Sequence, residues 1–161
     1  MSCGGGGLDI IPITLNPMMR RLSLKDNRIK IVDASLNFYT QLEEVDFSGN
    51  LMEALPDRGF FKQRKLLELR LDNNRIRNIT NSTAFVGLQS LLRLSLKGNR
   101  LESIPSRVFD FLPKVCHVCT PLSLSHTKCF FHLVAFFIHV NRLDSHPSMQ
   151  SDSHVAYNKT K

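Results

Sequence analysis

Apolar residues recur along this chain in pairs with one residue between them, and an asparagine follows three residues after each pair. A fixed period in the range found here is the signature of a solenoid, in which similar units stack along one axis. The asparagines, which lie 23, 24 and 25 residues apart, are Asn27, Asn50, Asn74 and Asn99. The pattern predicts four units, over residues 19–41, 42–65, 66–90 and 91–114.

Each apolar pair predicts a short strand, because a spacing of two puts both side chains on one face. Stacked units would set these strands side by side in a parallel sheet, spaced at about 4.8 Å. The asparagine follows where the chain turns away from the strand. Its amide offers donors and an acceptor to buried backbone groups, so repeated asparagines are expected to form a ladder between units. We expect Phe61, Phe85 and Phe109 to fill the far side of the core.

The segments Leu42–Phe61 and Leu91–Leu112 match the pattern LxxLxLxxNxLxxLPxxxFxxL closely. In this pattern the chain resembles the leucine-rich-repeat family, over about residues 8–115. The resemblance implies an α/β solenoid with a short curved parallel β-sheet on the concave face and an irregular, 3-10 or short helical convex side. The spacing of about 24 residues resembles the subclass typical of extracellular and cell-surface members.

The regions flanking the repeats depart from the pattern. Residues 1–18 resemble the end of a cysteine-rich N-terminal cap, with Cys3 at the place of its last cysteine and the other cap cysteines missing. No secretory leader is visible, so we expect a fragment of a longer precursor, with the four glycines as a flexible lead-in and Cys3 as a free thiol on a loose end. Val115 and Val118 could begin a fifth unit, but no asparagine follows in frame.

Residues 115–161 are predicted to be an unpatterned, partly disordered tail. All six histidines and three of the four cysteines lie there, whereas all eight glycines precede it. The apolar run 129–140 is only about half the ~20 residues that a membrane span requires, so no span is expected.

The outward positions of the predicted strands form the candidate binding surface, because solenoids bind partners on this concave sheet. Opposite charges on adjacent strands would also support one another, at about a few tenths of a kcal/mol each. For any single charged residue, this mutual support is the preferred explanation of its place in the strand. For the face as a whole, we expect a role in binding a protein ligand. No aromatic residue is among these positions, which stack into the columns Arg21–Glu44–Glu68–Arg93, Ser23–Asp46–Arg70–Ser95 and Lys25–Ser48–Asp72–Lys97.

Three N-x-[ST] sequons offer candidate sites for N-glycosylation. Asn78 and Asn81 lie away from the predicted strands, so a glycan on either would leave the concave face open. The third sequon is at Asn158, in the tail. We expect Asn78 or Asn81 to be modified if the chain belongs to a secreted protein.

Other chemistry finds little support in the sequence. Cys116, Cys119, Cys129 and His132 have the spacing of a zinc site, but their unpatterned surroundings favour no metal, and no cofactor is expected. The repeats contain no histidine, so few groups could act as an acid or base near neutral pH, and we expect no enzyme. The net charge is +7, but both signs alternate along the columns, which disfavours nucleic-acid binding.

These features predict a noncatalytic protein-interaction module, and the resemblance implies an extracellular or cell-surface protein of the adhesion or receptor type. One alternative is a cytosolic leucine-rich-repeat scaffold or adaptor, which would explain the missing leader and unpaired cysteines. Another is a truncated product without independent function.

Overall fold

The protein folds as a short solenoid with one parallel sheet. The computed structural model describes residues 1–79, 81–102, 104 and 107–119. Among these residues, five strands pair in chain order: β1 (Arg21–Ser23), β2 (Glu44–Asp46), β3 (Glu68–Arg70), β4 (Arg93–Ser95) and β5 (His117–Cys119). The same part of the chain has two short 3-10 helices, η1 (Ala34–Phe38) and η2 (Val108–Phe111), which lie on the opposite side. The predicted fold class is therefore confirmed.

The strands are aligned so that equivalent residues of successive units stand side by side. Each strand buries its central residue, and these central residues pair in one row: Leu22, Val45, Leu69, Leu94 and Val118. In β1 to β4 the residue on either side of the centre is at least partly exposed, as a period of two requires. Because the register does not slip between units, the outward side chains also form straight rows.

The far side of the core holds one large apolar residue per unit. Leu36, Phe60, Phe85 and Phe109 occupy this position, and the rings of Phe85 and Phe109 stack with centroids 6.3 Å apart. The prediction for Phe61 is wrong, because Phe60 is fully buried and Phe61 is 44% exposed. The loop after the ladder asparagine varies in length, whereas the first buried residue of the next unit always follows six positions after the far-side residue.

The N-terminal residues lie along the free edge of β1. Cys3 N–H donates to Ser23 O at 2.8 Å, Ser23 N–H donates to Met1 O at 3.0 Å, and Gly5 N–H donates to Lys25 O at 3.1 Å. Cys3 is half-buried against the core and its thiol is free. The expectation of a loose lead-in is therefore wrong, because backbone pairing holds this segment in place whatever its side chains are.

A fifth strand continues the sheet past the four predicted units. Cys116 N–H donates to Leu92 O at 3.0 Å, and both Val115 and Val118 are buried. The first residues of the predicted tail thus extend the solenoid. The rest of that tail, including the run 129–140, lies outside the described residues.

Candidate binding surface

The ladder asparagines join each unit to the one before it. The Asn74 amide group donates to Leu71 O in its own unit and to Phe47 O in the preceding unit, each at 3.0 Å, and its oxygen accepts from Met52 N–H at 3.1 Å. Asn50 and Asn99 make the same set of bonds. These bonds fix the spacing between units and so the spacing of the outward side chains.

The N-terminal segment completes the ladder at the first asparagine. The Asn27 amide group donates to Cys3 O at 2.8 Å, and its oxygen accepts from Leu8 N–H at 2.9 Å. Cys3 and Leu8 therefore take the places that Leu24 and Ile29 take beneath Asn50. Residues 1–8 act as an additional coil without the repeat sequence.

The residue before each ladder asparagine has a left-handed backbone. Its φ is 56° at Asp26, 70° at Gly49, 53° at Asn73 and 65° at Gly98. Glycine, asparagine and aspartate adopt this conformation more readily than other residues. The turn carries the following asparagine into the core. This position was not predicted, although its restriction to aspartate, asparagine and glycine is visible in the sequence.

The first outward column holds two ion pairs between neighbouring strands, and Arg70 of the second column joins one of them. The Arg21 Nε lies 3.2 Å from a Glu44 carboxylate oxygen. The Glu68 carboxylate binds two guanidinium groups, with Arg93 Nη2 at 2.5 Å and Arg70 Nε at 2.6 Å. The two glutamates in the middle of this column are therefore both bound by neighbouring cations.

Glu68 is a largely enclosed charge on this surface, with 12% of its side chain exposed. Burial alone would raise the pKa of this carboxyl group, but the hydrogen bonds from Arg93 and Arg70 outweigh burial, and its pKa lies below the ordinary value. The same hydrogen bond to Glu68 raises the pKa of Arg70. The Glu68 carboxylate is thus ionised at neutral pH.

The other two columns contain carboxylates that accept hydrogen bonds from their neighbours. The Asp46 carboxylate accepts from Ser48 N–H at 2.8 Å, and the Asp72 carboxylate accepts from the Ser95 hydroxyl and from Lys97 N–H. Ser48 is only 6% exposed, so it offers a partner little surface. Other members of the predicted surface are well exposed: Arg21, Lys25, Arg70, Arg93 and Lys97.

The two sequons of the third unit differ in their surroundings. Asn78 is exposed, whereas Asn81 is partly buried and its oxygen accepts from Thr83 N–H at 3.1 Å and from the Thr83 hydroxyl at 2.6 Å. The Thr83 hydroxyl also contacts the Asp57 carboxylate of the preceding unit. Thr80 and Asn158 lie outside the described residues.

The zinc prediction falls mostly outside the described residues. Cys116 is an exposed free thiol that donates to Lys114 O at 3.4 Å, and Cys119 ends β5. Cys129 and His132 are not among the residues that the structure describes. Over the described part of the chain, no three His, Cys, Asp or Glu side chains converge as metal ligands would. None of the described helices has both the length and the apolar character needed to cross a bilayer.

A comparison with protein families identifies the repeat. The family model described as leucine rich repeat matches residues 64–128. These repeats are leucine-rich repeats. The predicted family resemblance is therefore confirmed, and the ladder asparagines and paired strands described above are its structural framework.

Leucine-rich-repeat proteins of known identity are similar to this chain over different lengths. Osteomodulin of Bos taurus is 31% identical over 124 residues, covering 75% of this chain and 28% of osteomodulin. Lumican of Rattus norvegicus is 33% identical over 169 residues, covering 80% of this chain and 46% of lumican. The human leucine-rich repeat and fibronectin type III domain-containing protein 1 is 40% identical over 68 residues, covering 42% of this chain and 9% of that protein.

These relatives are extracellular-matrix or cell-surface proteins, and they are structural or adhesion proteins rather than enzymes. The chain spans less than half the length of each of them.

Proposed function

We propose that the leucine-rich repeats form a noncatalytic protein-binding module of a cell-surface or extracellular protein of the adhesion or receptor type. The observation that carries this proposal is the aligned sheet, whose register stacks charged side chains into columns across the strands. A fixed array of positive and negative side chains suits a partner of complementary charge pattern, because electrostatic complementarity governs specificity and association rate.

The Glu68 cluster is the proposed centre of this surface. Its carboxylate is held by Arg70 and Arg93, so the guanidinium groups have fixed positions before a partner arrives. Fixed side chains lose less conformational entropy on binding. The module therefore recognises a partner through preorganised charges rather than through aromatic anchors.

The binding test compares two double charge reversals. The first, Glu44→Lys with Glu68→Lys, changes the strand face. The matched control, Glu53→Lys with Glu102→Lys, changes two exposed glutamates beyond the ladder asparagines, outside the strands. A partner recovered from a panel of extracellular proteins should bind the first variant about tenfold more weakly and the control unchanged.

Folding is checked by thermal unfolding, and a Glu44→Gln, Glu68→Gln variant serves if the reversal unfolds the chain. Unchanged affinity in a folded strand-face variant would show that the partner binds elsewhere.

We further propose Asn78 as the N-glycan acceptor of this module. Its side chain is exposed and makes no hydrogen bond among the described residues, whereas Asn81 is engaged by Thr83. The test is mass spectrometry of the tryptic peptide 78–93 from native material, before and after enzymatic release of N-glycans. Release converts the modified asparagine to aspartate, which distinguishes the two positions.

A bare peptide in abundant native material would contradict the extracellular setting. The alternative is then a cytosolic leucine-rich-repeat scaffold, which the free thiols of Cys3 and Cys116 favour.

A further inference from the structure

A second charged surface lies at the end of the second repeat unit. Lys62, Arg64 and Lys65 are exposed there, and two exposed phenyl rings flank them, Phe38 at 62% and Phe61 at 44%. We refer to these five residues as the basic flank. They lie outside the strands and belong to the return from the far side of the core toward the next strand.

The cations of the basic flank have no carboxylate partners among the described residues. On the strand face Arg21, Arg70 and Arg93 all pair with glutamates, whereas no ion pair in the described part of the chain includes a cation of the basic flank. The Lys65 ammonium donates to the neutral Gln41 amide at 2.5 Å. Positive charge is therefore left uncompensated.

Two surface depressions meet within the basic flank and share Lys62. Neither has a carboxylate in its lining. One is lined by Thr40, Gln41, Phe61, Lys62, Arg64 and Lys65, and the other by Ala34, Asn37, Phe38 and Lys62. An anion could approach either depression without meeting a like charge in its walls.

The repeat fold does not require these cations. The places of Arg64 and Lys65, just before the next unit begins, are filled by Thr40 and Gln41 in the first unit and by Gln89 and Ser90 in the third. Gln63 is buried between Lys62 and Arg64, which directs its neighbours to the surface. Unpaired like charges this close repel one another, so their clustering points to an external anion.

We propose that the basic flank binds a sulfated polysaccharide. Guanidinium groups match the geometry of tetrahedral oxyanions with paired hydrogen bonds, and lysines add point charges. The phenyl rings of Phe38 and Phe61 offer apolar surface to the C–H faces of sugar rings. The choice of a sulfated glycan over other polyanions rests on the proposed extracellular setting, because such glycans are the polyanions of that environment.

The test measures binding of the full chain to heparin, with and without the three cations. The variant Lys62→Gln, Arg64→Gln, Lys65→Gln should bind about tenfold more weakly. The slope of log affinity against log salt is negative, and each cation that releases a counterion from a single-stranded polyanion adds about 0.7 to its steepness. Removing three cations should therefore make the slope shallower by about 2. Equal urea midpoints would establish that the variant remains folded.

A matched variant separates this site from net charge. Arg75→Gln, Arg77→Gln, Arg100→Gln removes the same charge from exposed positions that also lack ion pairs in the described part of the chain. This variant should retain heparin affinity to within about twofold. An equal loss in both triples would overturn the proposal, since binding would then follow overall charge.

Phe38→Ala with Phe61→Ala tests the apolar contribution. Affinity should fall while the salt slope stays the same, because no counterion contact is removed. An unchanged affinity would overturn the assignment of the rings to the site.

Three competitors decide the class of ligand. Desulfated heparin should fail to compete. Single-stranded DNA or phosphatidylserine vesicles binding more tightly than heparin would overturn the proposal in favour of a nucleic acid or a membrane. The strand-face variant Glu44→Lys, Glu68→Lys should bind heparin at least as well as wild type, so failure of the protein-binding proposal and failure of this one are separate results.

Discussion

Two buried amides, Asn74 and Gln63, lie on opposite sides of the solenoid and differ in how fully they are bonded. Asn74 is 5% exposed, and both its amide group and its oxygen have partners within 3.2 Å. Gln63 is fully buried, and its amide group donates to Leu36 O at 2.8 Å, but its oxygen finds no partner among the described residues.

The difference follows from what each position must supply. The side chain at the ladder position must hydrogen-bond backbone groups at fixed places. A short amide side chain is needed for this, so every unit has asparagine there. The position of Gln63, on the return toward the next strand, only has to fill space in the core. The equivalent residues of the other units are Tyr39, Leu88 and Leu112, all fully buried. Side chains of several types can fill the same space, so the residue type varies at this position. A glutamine whose oxygen lacks a hydrogen-bond partner is therefore tolerated.

The largest expected effect is that of Asn74→Ala. In this variant Phe47 O still accepts a hydrogen bond from the Asn50 amide group, and Leu71 O still accepts one from the Asn99 amide group. Met52 N–H, however, loses its acceptor inside the core. An unsatisfied buried donor together with the lost hydrogen bonds should cost about 3 kcal/mol of unfolding free energy. Urea unfolding followed by circular dichroism measures this loss.

The control for Asn74 is Gln89→Ala, which removes an exposed amide that makes no hydrogen bond among the described residues. Its unfolding free energy should change by less than about 0.5 kcal/mol. If Asn74→Ala cost no more than this control, the ladder would contribute little to stability.

The next effect, that of Gly87→Ala, tests whether the return side tolerates change everywhere. Gly87 has φ of 102°, and a Cβ there would lie 2.5 Å from the carbonyl oxygens of Phe60 and Phe61. The obstacle is backbone of the neighbouring unit and cannot rotate away, so we expect a loss of about 2 kcal/mol, measured by urea unfolding.

Gly98→Asn is the comparison for Gly87. Its φ of 65° is the conformation that Asp26 and Asn73 adopt at equivalent positions, and the atom nearest its added Cβ is the end of the Asn73 side chain. The Gly98→Asn substitution should lower the unfolding free energy by less than about 1 kcal/mol. Equal losses at both glycines would mean that the left-handed backbone, and not the close approach, sets the cost.

The same division explains which features could be predicted from sequence. The strands and the ladder were predictable because backbone hydrogen bonding restricts residue type at a fixed spacing. Phe61 was predicted in place of Phe60 because Phe61, Phe85 and Phe109 lie 24 residues apart, whereas the loop before the buried ring varies in length, and counting back from Leu66 finds Phe60. The added coil of residues 1–8 pairs mainly through its backbone, which leaves no side-chain pattern. The three-membered Glu68 cluster depends on side-chain conformations that spacing does not determine.

Gln63→Leu should stabilise the protein, by about 1 kcal/mol. Leucine occupies the same position in the third and fourth units, and Leu36 O keeps its bond from Tyr39 N–H at 3.1 Å, so the substitution removes an unsatisfied acceptor without creating another. Gln63→Ala is the control, because it also removes the oxygen but leaves a cavity, and it should lose about 1–2 kcal/mol. A leucine variant as unstable as the alanine variant would refute the view that volume governs this side.

The smallest expected effect concerns Glu68, whose polar partners are as complete as those of Asn74 but lie at the surface. Its folded-state pKa is below the ordinary value of 4.5, so the ionised carboxylate stabilises the fold above that pH. This contribution is lost as the pH falls through the folded-state pKa. Because solvent reaches Arg70 and Arg93, Glu68→Gln should cost less than about 1 kcal/mol at neutral pH.

The difference in unfolding free energy between wild type and Glu68→Gln should shrink toward zero well below pH 4.5 and should also shrink with added salt. Glu102→Gln, at an exposed carboxylate outside every ion pair of the described residues, should match wild type throughout. A Glu68 difference that persisted unchanged in acid would mean that the side chain acts through packing. The cluster would then be a poor choice for the charged centre of the binding surface, because a partner recognises only charge that the fold leaves accessible to it.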